Sequence, residues 1–312
     1  MKHITLKTLK LTLVFLVVTA LGTSQETTAS IDVSISGEPL AEALINQWIL
    51  EYGKNAKNNI KFNSKAKNAD LSIEFNNSTV INNDLKHFSI ARVAILPIAK
   101  SNSAIALEFK KKGLNEDRLK SLFFDDFLGS TGKDEFSKIP YQVYTRLGDS
   151  GTPYIFAQFF GYETSNIKGN GIGGNDYHVL NAMKNDDNAV SFNALNILYD
   201  LQTRQSLQGF AILPVDLNGN GKVSEDEVFY QDLDTILEKL QNLSDKDIHN
   251  IPIAQLQIVV NIKAANEDTL NFLNWILENG QKSLSNYGFL QPDDKTLQKE
   301  RLIVNQLVSN RN

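Results

Sequence analysis

Hydrophobic and polar positions alternate along this chain in two rhythms that interleave from near its start to its end. Residues 31–35 (Ile-Asp-Val-Ser-Ile) alternate with period two and predict a strand. After Ser36-Gly-Glu-Pro39 the period lengthens. Leu40, Leu44, Trp48 and Tyr52 recur every four positions, the buried stripe of a helix, so Trp48 reads as core. Short strands follow at 60–62 and 69–75, which makes a β-α-β opening and an α/β lobe. A long apolar run at 88–98 predicts a strand crossing between lobes. A helix over 114–124 has Asn115 or Glu116 near its cap, and a strand covers 139–145. The pattern continues with a helix at 177–184, strand and helix over 189–199, and strands at 210–215 and 253–262. An amphipathic helix over 270–280, with Trp275 on its core side, and a polar terminal helix complete it. The glycine-rich stretch 168–174 lacks both phosphate-loop and dinucleotide spacing and reads as flexible connection.

The N-terminus has a different character. Lys2, Lys7 and Lys10 precede an apolar core at 11–21 and then small and polar residues, which predicts a secretory signal peptide over 1–22, cleaved after Gly22 or nearer Ala29. An uncleaved anchor is the alternative. Losing three lysines takes the net charge from −5 to −8 (28 basic minus 36 acidic residues), which argues against nucleic acid as a partner. The chain has no cysteine, so disulfides, thiol catalysis and a lipid-modified N-terminal Cys are excluded. With no second apolar span, the expectation is a periplasmic or secreted protein without stable membrane insertion.

Two stretches carry candidate chemistry. The first is Arg146-Leu-Gly-Asp-Ser-Gly-Thr152 before Pro153. Gly148 and Gly151 permit a tight turn, and Ser150 or Thr152 can cap the helix that follows. Unpaired N–H groups, two hydroxyls and an arginine suit a small oxyanion, and an ordinary capped turn satisfies the same residues. Gly148-Asp-Ser150-Gly151 also matches a nucleophile turn, but the mature histidines, His87, His178 and His249, carry no signature that would deliver a base to Ser150. The three form no zinc pattern either, and no enzyme is expected. The second stretch is Asp216-Leu-Asn-Gly-Asn-Gly-Lys-Val-Ser-Glu-Asp-Glu227. Asp216, Asn218, Asn220, Ser224 and Glu227 put oxygen donors at positions 1, 3, 5, 9 and 12, Gly221 stands at 6, and the Lys222 carbonyl would serve at 7. That spacing predicts a structural Ca²⁺ loop, and an empty Asn/Gly turn is its alternative.

Several segments together resemble the phosphate-binding proteins of bacterial ABC importers, within the type II periplasmic binding protein superfamily. They are Ile35-Ser-Gly-Glu-Pro-Leu with Trp48-Ile-Leu-Glu-Tyr, Leu119-Lys-Ser-Leu-Phe-Phe124, the turn at 146–152, and Phe272-Leu-Asn-Trp-Ile-Leu-Glu-Asn-Gly-Gln281 with Tyr287-Gly-Phe289. The resemblance implies two α/β lobes with mixed sheets and two crossing strands. Lobe one would comprise 31–92 and 255–312, and lobe two 93–254. It also implies a monomer that holds an inorganic anion between the lobes and delivers it to an ABC permease. Arg146, Ser150, Gly151 and Thr152 would grip the anion. On lobe one the matching positions are altered. Pro39 and Leu40 stand where the family has a threonine and a backbone donor, Glu38 would repel an anion unless turned away, Ser36 or Ser64 would be the substitute hydroxyl, and Glu74 falls where an aspartate accepts the ligand's proton. A different small ligand on this fold, or a repurposed binding or adhesion module, stays open beside phosphate and related oxyanions.

Overall fold

The computed structural model describes residues 32–56, 59–75, 84–125, 139–218, 220–243 and 250–310. The expected signal peptide at 1–22 and His249 lie outside them. Among the described residues, strands β1 (Asp32–Gly37), β2 (Asn59–Phe62), β3 (Leu71–Phe75), β4 (Leu85–Lys100), β5 (Gln142–Arg146), β6 (Asn170–Ile172), β7 (Ala189–Ala194), β8 (Phe210–Ile212) and β9 (Ile253–Asn261) join in the order β2-β1-β3-β9-β4-β7-β5-β6, with β8 also on β4. The helices are α1 (Glu42–Gly53), α2 (Ala104–Lys112), α3 (Glu116–Phe123), α4 (Gly151–Phe159), α5 (Asp176–Met183), α6 (Leu195–Leu198), α7 (Leu233–Asn242), α8 (Glu267–Glu278) and α9 (Asp294–Ser309). The result is an α/β fold, a curled mixed sheet flanked by helices.

One strand ties the sheet together. β4 is 16 residues long, twice or more the length of most of its neighbours. Residues 85–94 pair antiparallel with β9, and Ile95 to Ala99 then pair antiparallel with β7. On one side β1 lies parallel to β2 and β3, and on the other β5 lies parallel to β6 and β7. All six residues of β7 are buried, as expected of a strand covered on both faces.

Packing follows the apolar pattern. Phe156 of α4 stacks on Phe192 of β7 with ring centroids 3.8 Å apart, and Phe123 of α3 meets both rings edge-on. Trp48 is fully buried and its indole N–H donates to the Gly280 carbonyl at 2.9 Å, which locks α1 to the turn after α8. Trp275 is half-buried and packs against Phe272 and Tyr52 at the edge of that core. No helix among the described residues is long and apolar enough to cross a membrane.

The stretch 168–174, expected to be a flexible connection, instead contains β6, paired in register with β5 from Tyr144↔Asn170 to Arg146↔Ile172. Its glycines permit that approach. A Cβ on Gly169 would fall 2.3 Å from the Val143 carbonyl oxygen, and Gly169 has φ +97°. Pairing with β5 satisfies backbone groups that a loop would leave to water.

Candidate functional site

The site begins where β5 stops. Arg146 is its last residue, and Gly148, at φ +123°, turns the chain so that α4 starts at Gly151. The N-terminus of α4 thus lies at the C-terminal end of a parallel strand, where open α/β sheets present unpaired N–H groups to ligands. Ser150 occupies the N-cap position, but its side chain makes no capping hydrogen bond and is exposed. The Thr152 hydroxyl is buried and donates to Asp176 Oδ1 rather than capping α4. The expected hydroxyl cap is therefore absent.

Arg146 turns back over this helix start. One Nη donates to the Ser150 carbonyl, and Nε lies 3.8 Å from Asp176 Oδ1, with both side chains largely buried. Among the described residues Nε makes no hydrogen bond. Gly151 has φ +65°, and a Cβ there would fall 2.1 Å from Arg146 Nη2 and 3.2 Å from Glu38 Oε2. The glycine is thus required twice, for its backbone angle and for the space the guanidinium fills.

Glu38 arrives from the opposite half of the sheet. Gly37, at φ +120°, ends β1 so tightly against β3 that a Cβ on it would overlap the Ile73 carbonyl. The Glu38 N–H donates to that carbonyl at 3.0 Å, and Pro39 opens a 3-10 turn through Ala41. This fixes the carboxylate beside the α4 N-terminus. Burial pushes the Glu38 carboxyl up to about 7, Arg146 pulls it back, and the charges of Asp176 and Glu74 push it further up. A carboxyl so placed is near half-protonated at neutral pH and can donate as well as accept.

Glu38, Pro39, Leu40, Arg146, Asn175, Asp176, Tyr177 and Ile197 line one cavity of about 30 Å³. One water needs ~10–15 Å³ of such space, so a small solute is the scale that fits. The turn at Leu40 is held from the far side, where Asn196 Nδ2 donates to its carbonyl at 2.8 Å. Of the sequence-derived residues, Arg146 and Leu40 line the cavity, and Gly151 and Thr152 lie against Arg146 and Asp176. Ser36 is buried within β1, and Glu74 accepts from Ser72 Oγ at 2.7 Å; neither lines the cavity, and neither does Ser150. His178 Nδ1 is engaged with Asn175, and among the described residues no hydrogen bond joins a histidine to Ser150. No residue of the loop at 216–227 lines the cavity.

Asp176 is the residue that sequence reasoning passed over. The one local sign was a helix start, Asn175-Asp176, directly after glycines, and nothing in the sequence connects it to Arg146 thirty positions earlier. β6 makes that connection by carrying the chain along β5 and releasing it at the cavity.

No protein-family model matches the chain, and no curated protein matches it. Solved structures match it in fold. One is a Clostridium perfringens protein assigned as a phosphate ABC transporter substrate-binding protein, with phosphate bound. It is 15% identical with a TM-score of 0.58, over 84% of this chain and 100% of that one. An ABC-type phosphate transport receptor from Vibrio cholerae is 14% identical with a TM-score of 0.56, over 84% and 100%. A high-affinity periplasmic phosphate-binding protein, PfluDING, bound with phosphate, is 11% identical with a TM-score of 0.55, over 87% and 93%. At these identities the likeness establishes the fold: this chain has the α/β architecture of the two-lobed type II periplasmic binding proteins.

Proposed function

We propose that this chain is an extracytoplasmic solute-binding protein that takes a small oxyanion, phosphate or a relative of it, at the N-terminus of α4 and serves an ABC permease. The observation that carries the reading is convergence. Arg146 comes from one half of the sheet and Glu38 from the other, and they line a single cavity, with Gly151 packed against both. A guanidinium beside free helix N–H groups supplies charge-assisted donors, and partial burial strengthens them. Asp176 holds Arg146 in place and offsets part of its charge. The attraction for an anion therefore comes from Arg146, from the helix N-terminus and from Glu38 in its protonated form. On this reading, lobe one is 31–92 with 255–312 and lobe two is 93–254, and binding draws them together over the anion as a monomer.

One observation favours a second reading. Arg146 is already engaged by Asp176 and by the Ser150 carbonyl, with Glu38 alongside, so the positive charge of the cleft is answered from within the protein. A binding module without transport would keep such a closed arrangement.

Calorimetric titration with phosphate, sulfate and molybdate at pH 6 separates the two. Binding of one of them, lost at least tenfold in Arg146→Ala, supports the solute-binding reading. Heat with none of the three refutes it in favour of the second.

A further inference from the structure

We propose that the loop at 216–227 is a calcium site that clamps three separate segments of the fold, independently of the anion cleft. The twelve-residue spacing places Asp216, Asn218, Asn220, Ser224 and Glu227 as oxygen donors, with the Lys222 carbonyl between them, and calcium takes six to eight such oxygens. Position 4, Gly219, supplies no ligand and lies outside the described residues. Hydrogen bonds close the loop on itself. Asn220 N–H donates to Asp216 Oδ1 at 3.1 Å, Asn218 Nδ2 to Ser224 Oγ at 3.1 Å, and Ser224 Oγ to Glu227 Oε2. Gly221, at φ +80°, makes the turn between the two halves and donates to Asp216 Oδ2 at 2.8 Å.

A separate argument comes from charge. Asp216 is 0% exposed and Glu227 1% exposed, yet neither forms an ion pair with a basic side chain among the described residues. Their partners are N–H and O–H groups, which ease desolvation but leave two negative charges buried in one loop. Buried charges in proteins are paired or coordinate metals, and a divalent cation cancels both at once.

The surroundings say what the ion would do. Asp216 N–H donates to the Leu114 carbonyl between α2 and α3, and Asn250, ahead of β9, donates to the Asp216 carbonyl at 2.8 Å. Tyr230 lies just beyond the loop, its hydroxyl 3.0 Å from the N–H of Val215. An ion at Asp216 therefore fastens the α2–α3 connection, the exit of β8 and the entry to β9. With a dissociation constant on the order of 10⁻⁴ M, the range of extracellular modules, 10 mM calcium lowers the apparent unfolding constant about 100-fold and raises the melting midpoint by roughly 5 °C.

The test uses the purified protein, with terbium and calcium as probes. Terbium emission excited through Tyr230 and displaced by calcium, together with a midpoint raised by calcium and at least tenfold weaker binding in Glu227→Gln, is the expected result. Asn220→Ala serves as the second variant because Asn220 is exposed and its replacement leaves the buried carboxylates in place. It should weaken calcium binding at least tenfold without altering the midpoint measured in chelator. Absence of both terbium emission and a calcium-dependent midpoint overturns the proposal, as does a response undiminished in both variants.

Discussion

Replacing Glu38 by Gln keeps the shape of the cavity and removes a carboxyl whose ionisation opposes an anion. With its carboxyl at about 7, Glu38 is about 10% ionised at pH 6 and about 90% at pH 8. A bound oxyanion favours the protonated acid, so affinity is full below pH 6 and declines as pH rises through 7. An ionised Glu38 about 5 Å from a unit charge costs about 3 kcal/mol at an effective dielectric constant near 20. That exceeds the ~1.4 kcal/mol that titration from pH 6 to pH 8 makes available, so the proton equilibrium limits the effect to about tenfold in Kd. Calorimetry on wild type and Glu38→Gln at each pH gives a ratio of dissociation constants from which the ligand's own ionisation cancels. The ratio should rise about tenfold from pH 6 to pH 8. A ratio constant within about twofold, or a wild type that binds more tightly than the variant at pH 8, refutes the reasoning. Stability supplies an independent check. The folded-state value lies above the ordinary 4.5, so the group's contribution is full below that value and is lost as pH rises through about 7. The interval corresponds to at most about 3 kcal/mol, and Glu38→Gln should recover much of it at pH 8 without any ligand present.

Two further substitutions test the architecture around the cleft. Gly151→Ala places a methyl 2.1 Å from the Arg146 guanidinium at a positive φ; urea unfolding should show a loss of about 1–2 kcal/mol, and anion affinity should fall more than tenfold. Trp48→Phe removes an indole N–H shared between the Gly280 carbonyl and Ser283 Oγ in a fully buried position; the same assay should report a loss of about 2–3 kcal/mol, with anion binding retained.

The sequence by itself determined what depends on near neighbours. The stripe of Leu44, Trp48 and Tyr52 specifies one face of α1, with Leu40 in the 3-10 turn just before it, because the helical period brings those residues together whatever surrounds them. Asn115 caps α3 by accepting from the Arg118 N–H at 3.0 Å, a bond spanning three residues. The strand-turn-helix order around Arg146 was legible in the same way, because Gly148 and Gly151 are the residues that reach the positive φ such a turn requires. Only the tertiary structure decided which distant groups face one another. Nothing local says that the glycine-rich stretch at 168–174 pairs with β5, and that pairing delivers Asp176 to Arg146 and Thr152. Nor does any local signal say that β4 changes partner from β9 to β7 at Ile95, or that Glu38 comes to rest beside Gly151. These placements follow from the sum of many weak packing contacts across the whole sheet, and such a sum has no period and no spacing to read.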